Sequence, residues 1–279
     1  MDSEIPSYPP PDYITAAAQH GIRLRQSAPI RKGPQPLKLP ILDYLKSKRV
    51  ILASASPRRK ALLAQIGLTN LEIIPSSKPE DLSKESHTPH EYVAATARQK
   101  CLDVYQSALK EQESAAAAGG SSQTPSDPEV VIAADTVIAT RGGSILEKPR
   151  SEADHRAMLR RLRDAGSHSV LTAVCVLAPK RDASHPGYEL AAHTEETIVR
   201  FASEADGLTD EVIDSYVATR EGADKAGGYA VQGIGGLLLV EGVQGSVDNV
   251  VGLPVRKCLQ LCEKVVFRQG EEEEYEEDD

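Results

Sequence analysis

The segment Ser54-Ala55-Ser56-Pro57-Arg58-Arg59 lies between an apolar run at 50–53 and a stretch in which Leu62, Leu63 and Ile66 share one helical face. Ser56 suits an N-cap and Pro57 a first helical residue. A strand that feeds into a capped helix presents free backbone N–H groups and the positive end of a dipole, and two arginines add forked donors that match phosphate oxygens. The segment reads as an anion cradle; a capped helix with two solvated arginines is the plainer alternative. Further on, Thr88, Pro89 and Glu91 form a capping box that opens a second helix. Its apolar stripe is Val93, Ala97, Cys101, Val104 and Ala108, and Lys100 falls inside that stripe. Such a lysine either snorkels past the edge of the core or reaches an anion in a cleft.

Asp135 interrupts the apolar run at 130–134 and is followed by Thr136, Val137 and Ile138. A carboxylate in a central strand is costly unless it is paired, hydrogen-bonded or bound to a cation. If Gly142-Gly143 forms a two-residue hairpin turn, residues 137 and 148 pair, and Lys148 shares a sheet face with Asp135. The two then make either a structural ion pair or part of a site. The segments Asp224-Lys225-Ala226-Gly227-Gly228-Tyr229-Ala230-Val231-Gln232-Gly233 and Asn249-Val250-Val251-Gly252-Leu253-Pro254 are dense in small residues, which let backbone approach a ligand, and Gln232 offers a donor and an acceptor to a base edge. Their glycines fit neither a Walker loop nor a dinucleotide fingerprint, and turns alone would account for them. His168 reads as a hydrogen-bonded turn residue rather than a base. Ser54 and Ser56 have no evident Ser-His-Asp partners, which leaves acyl chemistry without support.

These residues need elements to hold them. Strands are expected at 50–53, 71–74, 130–138, 170–177, 197–201 and 237–240, and helices after Pro57, after Pro89, at 151–165, at 209–219 and after Pro254. Their alternation predicts an α/β fold, a mixed twisted sheet covered by helices on both faces. Residues 1–45 hold eight of the 18 prolines without clear periodicity and read as an extended arm, followed by one domain at 46–268 that begins near Arg49. The stretches 111–129 and 179–187 read as mobile surface insertions.

The net charge of −9 falls to −1 without the last nine residues, eight of which are acidic. The tail at 269–279 is too self-repelling to pack and is expected to be disordered. With no basic stripe, no Trp and two Phe, a nucleic-acid polymer is disfavoured as a partner. No apolar run is long enough to cross a bilayer, and no leader pattern is evident, so a cytoplasmic location is expected. Cys101, Cys175, Cys258 and Cys262 sit in apolar surroundings without metal-finger spacing and read as reduced packing residues.

In order and spacing, the Ser-x-Ser-Pro-Arg-Arg start, Ala134-Asp135-Thr136, Glu147-Lys148-Pro149 and the two glycine-rich segments resemble the Maf family across about 49–265. The resemblance implies a cleft between two lobes and a pyrophosphatase that uses a divalent cation, Mg²⁺ or Mn²⁺, to cut a nucleoside triphosphate between its α- and β-phosphates. It implies Asp135 as proton acceptor and metal ligand, with Glu80 as a second metal-holding acid. Arg58, Arg59, Lys100 and Lys148 match its phosphate-binding cations, Ser54 belongs to the same substrate-binding motif, and Arg58, Thr136 and Gln232 match positions tied to substrate choice. The Asp135-Thr136 and Gln232-Gly233 pairs look like the branch acting on dTTP and UTP rather than the one acting on 7-methyl-GTP. A homodimer is a common family state. Departures are Glu147 where the family usually has Gly, the two insertions and the proline-rich arm. Two rival readings are sanitation of a modified purine triphosphate and nucleotide sensing without turnover.

Overall fold

The computed structural model describes residues 19–21, 37–79, 82–84, 86–117, 127–181 and 187–270. The chain divides into two units, Met1–Leu37 and Lys38–Asp279. Most of the proposed arm and all but two residues of the proposed acidic tail lie outside the described residues.

The second unit begins earlier than the sequence suggested. Helix α1, Pro40–Leu45, starts at a proline and places Ile41, Leu42 and Leu45 at full burial, so these residues belong to the core and not to an arm. There follow β1 (Val50–Leu52), α2 (Pro57–Gln65), β2 (Leu71–Ile73), α3 (Pro89–Ala117), β3 (Val130–Ala139), β4 (Ile145–Leu146), α4 (Glu152–Ala165), β5 (Ser167–Pro179) and β6 (Tyr188–Phe201). The chain continues through α5 (Asp210–Ala218), a 3-10 turn (Ala226–Gly228), α6 (Ile234–Leu238), β7 (Val240–Gln244), α7 (Val247–Val251) and α8 (Val255–Phe267).

The strands make one seven-stranded mixed sheet in the order β2-β1-β3-β5-β6-β7, with β4 added beside β3. β1 is parallel to β2 and β3, whereas the β3-β5-β6-β7 pairings are antiparallel. Alternation along β3 covers both faces. Val130, Ile132 and Ala134 join the core built with α1, α2 and α8, while Val131, Ala133 and Val137 join the core under α3. A third core, around Leu159, Leu162, Ile213, Tyr216 and Tyr229, joins α4 and α5 to the far ends of β3, β5 and β6. The expected α/β class with a mixed, two-face-covered sheet is what forms.

Several boundaries differ from expectation for local reasons. Residues 111–117 are the last two turns of α3 rather than loop. β5 and β6 run on to pair Pro179 with Tyr188, so the second proposed insertion begins within the strand pair, and its residues 182–186 lie outside the described residues. The expected strand at 237–240 is replaced by α6, and the strand starts at Val240. The Glu221 carboxylate accepts from the N–H groups of Ile234 and Gly235, both at 2.9 Å, and this tertiary cap overrides the β-like composition. The β3–β4 register pairs Ile138 with Leu146, one residue away from the expected pairing. The turn holds three residues, with Gly143 N–H donating to the Thr140 carbonyl and Gly143 at φ 77°. A one-residue slip reverses the face of every side chain, so register does not set Lys148 beside Asp135. Among the described residues no helix is long and apolar enough to cross a membrane.

Candidate active site

β1 stops at Leu52, opposite Ile132, and β4 joins β3 only at Ile138. Between these points the β1 side of β3 has no strand partner among the described residues, and a cleft of about 710 Å³ opens there. It lies at the carboxyl end of β1, where the sheet changes from parallel to antiparallel pairing, a frequent place for ligands in α/β sheets. Asp135 and Thr136 occupy the middle of the gap and, as strand neighbours, point to opposite faces.

Asp135 turns toward α3. Lys100 Nζ donates to its Oδ1 at 2.8 Å, and the two side chains are 13% and 10% exposed, buried enough to be held yet still on the cleft wall. The lysine inside the apolar stripe thus finds a carboxylate. One turn further along α3, the buried Asp103 accepts from Ser76 Oγ at 2.7 Å and Ser77 N at 3.0 Å, tying the loop after β2 to the same helix. Burial raises the Asp103 carboxyl, but those bonds and the nearby Lys78 outweigh it and leave it below the usual range.

Thr136 turns toward α2. Ser56 caps that helix by accepting from Arg59 N at 3.5 Å. The Arg59 guanidinium is a clamp: Nη1 donates to Ser54 Oγ at 2.8 Å, Nη2 to Thr136 Oγ1 at 3.0 Å and Nε to the Gly252 carbonyl at 2.8 Å. Thr136 Oγ1 lies 3.0 Å from Thr172 Oγ1, which donates to the Asn249 carbonyl at 3.0 Å. Because Thr172 spends its one proton on Asn249, Thr136 donates to Thr172 and accepts from Arg59. Asn249, fully buried, donates in turn to the Val170 carbonyl and to Thr197 Oγ1. This chain fixes the Ser54 turn, β3 and the 249–252 segment as one wall.

Arg58 faces the other way, 3.8 Å from Asp224 Oδ2, and Lys225 Nζ lies 2.5 Å from Asp224 Oδ1. Burial raises the Asp224 carboxyl, while Lys225 and Arg58 draw it below its ordinary value. Lys148 and Gln232 also line the cleft, and Glu147 does so while paired with Lys84 at 2.6 Å.

Ser54, Arg58, Arg59, Lys100, Asp135, Thr136, Lys148 and Gln232 therefore all surround one cavity. Glu80 lies outside the described residues. His168 does not line the cleft: it is buried in β5, with Nε2 2.8 Å from the Tyr229 hydroxyl, and burial pushes its imidazole down to about 4. The four cysteines are buried and unpaired. Sequence reasoning passed over Lys78, Tyr92 and Thr172. Thr172 carried a usable signal, a hydroxyl inside a buried apolar strand.

The lining is suited to a phosphorylated ligand with a hard cation. Arg58, Arg59, Lys78, Lys100, Lys148 and Lys225 outnumber Asp135, Glu147 and Asp224. Among the described residues no cluster of three or more His, Cys, Asp or Glu forms a self-sufficient metal cage. The cleft offers oxygen donors without sulfur or imidazole. That donor set is of the kind a small hard divalent cation takes, and Asp135 is the carboxylate at the centre of the cleft that could hold one.

A family model described as "Maf-like protein" matches residues 49–265. The chain is 43% identical to a "dTTP/UTP pyrophosphatase" of Schizosaccharomyces pombe over 83% of its length and 89% of that protein. It is 44% identical to a protein of the same name from Anaeromyxobacter dehalogenans, over 78% of this chain and 95% of that one. A Homo sapiens "Probable bifunctional dTTP/UTP pyrophosphatase/methyltransferase protein" is 40% identical across 80% of this chain, which corresponds to 33% of the human protein. With a matching domain model and relatives aligned along most of both chains, the protein belongs to the Maf family.

Proposed function

We propose that this chain hydrolyses dTTP and UTP to the nucleoside monophosphate and pyrophosphate in the cleft beside Asp135. The observation that carries the reading is the meeting of Asp135, Lys100, Arg58 and Lys148 around one cavity at the capped start of α2. Relatives named as dTTP/UTP pyrophosphatases support the choice of substrate.

In the mechanism, Arg58, Lys148, Lys78 and Lys225 receive the triphosphate, and the exposed N-terminal turn of α2 adds oriented N–H dipoles. Asp135, oriented by Lys100 from the side, accepts a proton from the water that attacks the α-phosphorus. The new P–O bond forms as the bond to the bridging oxygen breaks, and the electron pair leaves with pyrophosphate. Charge then grows on the leaving group, where cations already in place stabilise it without rearrangement. A divalent cation on Asp135 would neutralise phosphate oxygens. Arg59 acts through its neighbours, holding Thr136 and the Ser54 turn in position. Gln232 presents its amide to the base edge.

The test is product release by purified full-length protein with Mg²⁺ or Mn²⁺ across dTTP, UTP, CTP, ITP, 7-methyl-GTP and ATP. Pyrophosphate from dTTP and UTP, abolished by Asp135→Asn, is the expected outcome. Turnover of a modified purine triphosphate alone would overturn the substrate, and tight binding without product would overturn the enzyme.

A further inference from the structure

The loop that carries Gln232 is held from behind by two side chains outside the cleft lining. Tyr216, buried near the end of α5, accepts at its hydroxyl from Ala230 N at 3.2 Å. Glu221, in the turn after that helix, accepts from Ile234 N at Oε1 and from Gly235 N at Oε2, both at 2.9 Å. The loop also closes on itself, the Ala230 carbonyl accepting from Gly233 N at 3.3 Å and Gly236 N at 2.9 Å. Between these anchors only Val231 and Gln232 reach the cleft. The seat is tight, because a Cβ on Gly233 would stand 1.9 Å from Glu221 Oε1 and one on Gly235 would stand 2.8 Å from the Tyr216 hydroxyl. Burial raises the Glu221 carboxyl, yet the two N–H donors, the Tyr216 hydroxyl and Lys225 leave it below its ordinary value, as expected of an ionised group in a donor cradle.

We propose that Glu221, with Tyr216, is a positioning residue for base recognition: the carboxylate clamps the N–H groups of Ile234 and Gly235, two and three residues beyond Gln232, and so fixes the amide against the nucleobase. The inference rests on the cleft being a nucleoside triphosphate site. The Glu221 carboxylate makes no hydrogen bond to Asp135, and Lys225 is held by the Glu221 backbone carbonyl at 2.5 Å, a contact that a change of side chain leaves in place, so the main effect of such a change falls on the base end. A loose loop would still let the phosphates bind and react, and would lose the ability to tell one base from another.

The experiment compares Glu221→Gln, Glu221→Asp and Gln232→Ala in the full chain on dTTP, ATP and a base-free ribose 5′-triphosphate. Glu221→Gln keeps the size but gives up one acceptor and the charge. It is expected to lower kcat/KM for dTTP about tenfold, through KM, the scale of a lost hydrogen bond to a charged group. The base-free substrate should be unaffected and the dTTP-to-ATP preference should collapse. Glu221→Asp should recover part of the preference, and joining Glu221→Gln to Gln232→Ala should add little to either alone. Equal losses on dTTP and the base-free substrate, or an unchanged base preference in a folded variant, would overturn the proposal. If Glu221→Gln does not fold, Gly233→Ala presses on the same carboxylate and is held to the same outcomes. Equilibrium binding of the three ligands reads the same preference, so absent turnover in the wild-type protein would count against the pyrophosphatase and leave the clamp open to refutation.

Discussion

Asp135 and Thr136 reach opposite walls of the cleft because adjacent strand residues face opposite ways, one toward Lys100 and the other toward Arg59. If Asp135 is the proton acceptor, Asp135→Asn should fold and bind dTTP while turnover drops roughly 10²- to 10⁴-fold, the ordinary contribution of a general base. Calorimetric binding beside steady-state rates checks this, and undiminished turnover would remove Asp135 from the role. Much at this scale was legible because each residue broke a local pattern: a carboxylate in an apolar strand, a lysine in an apolar stripe. Arg59 was less legible. Its type suggested phosphate, whereas its three acceptors come from segments far apart in the chain and become neighbours only on folding.

At the scale of elements, α2 serves the site twice, through its exposed first turn and through the Arg59 clamp that ties it to β3 and the 249–252 segment. A lysine cannot reproduce a planar fork on three acceptors. Arg59→Lys should therefore cost about 2 kcal/mol, read as a Tm lowered by roughly 5 °C, and reduce kcat/KM as well. Arg58→Lys should weaken substrate binding with little change in Tm, since Arg58 meets only the distant Asp224 among the described residues. Equal Tm losses from the two would contradict the division. Helix starts were readable because Ser56 and Thr88 are caps whose bonds form as expected, and the helix expected from 151 starts at Glu152 with Ser151 as its cap. Helix α6 was not, since its cap comes from Glu221 and not from a preceding residue. The β3–β4 register also escaped, because Gly142-Gly143 suits a two-residue turn as well as the three-residue one that forms.

Across the whole molecule, three cores around one sheet hold the cleft walls apart, and the third contains a group whose charge opposes folding. His168 packs edge-on against Phe201 and Tyr229, and its Nδ1 is buried without a partner. Its imidazole falls from 6.5 to about 4 on burial. Between those values the unfolded chain binds the proton and the folded chain does not, so stability is lost as pH falls from 6.5 toward 4. The loss from this one residue amounts to about 3 kcal/mol. Denaturant unfolding of wild type and His168→Gln at pH 7 and pH 4.5 should show the smaller pH dependence in the variant. Parallel curves would show that His168 is not buried neutral. Fold class was open to sequence reasoning at this scale because apolar runs alternate with helical stripes. The place of the cleft was not, since it depends on β1 ending at Leu52 while β3 continues past it.

The central claim is that water attacks the α-phosphorus and pyrophosphate leaves. Turnover of dTTP by the full chain with Mg²⁺ in ¹⁸O-enriched water, followed by phosphorus NMR, tests it most directly. Labelled dTMP with unlabelled pyrophosphate is the result expected here; label in the pyrophosphate, or dTDP with orthophosphate, would contradict it.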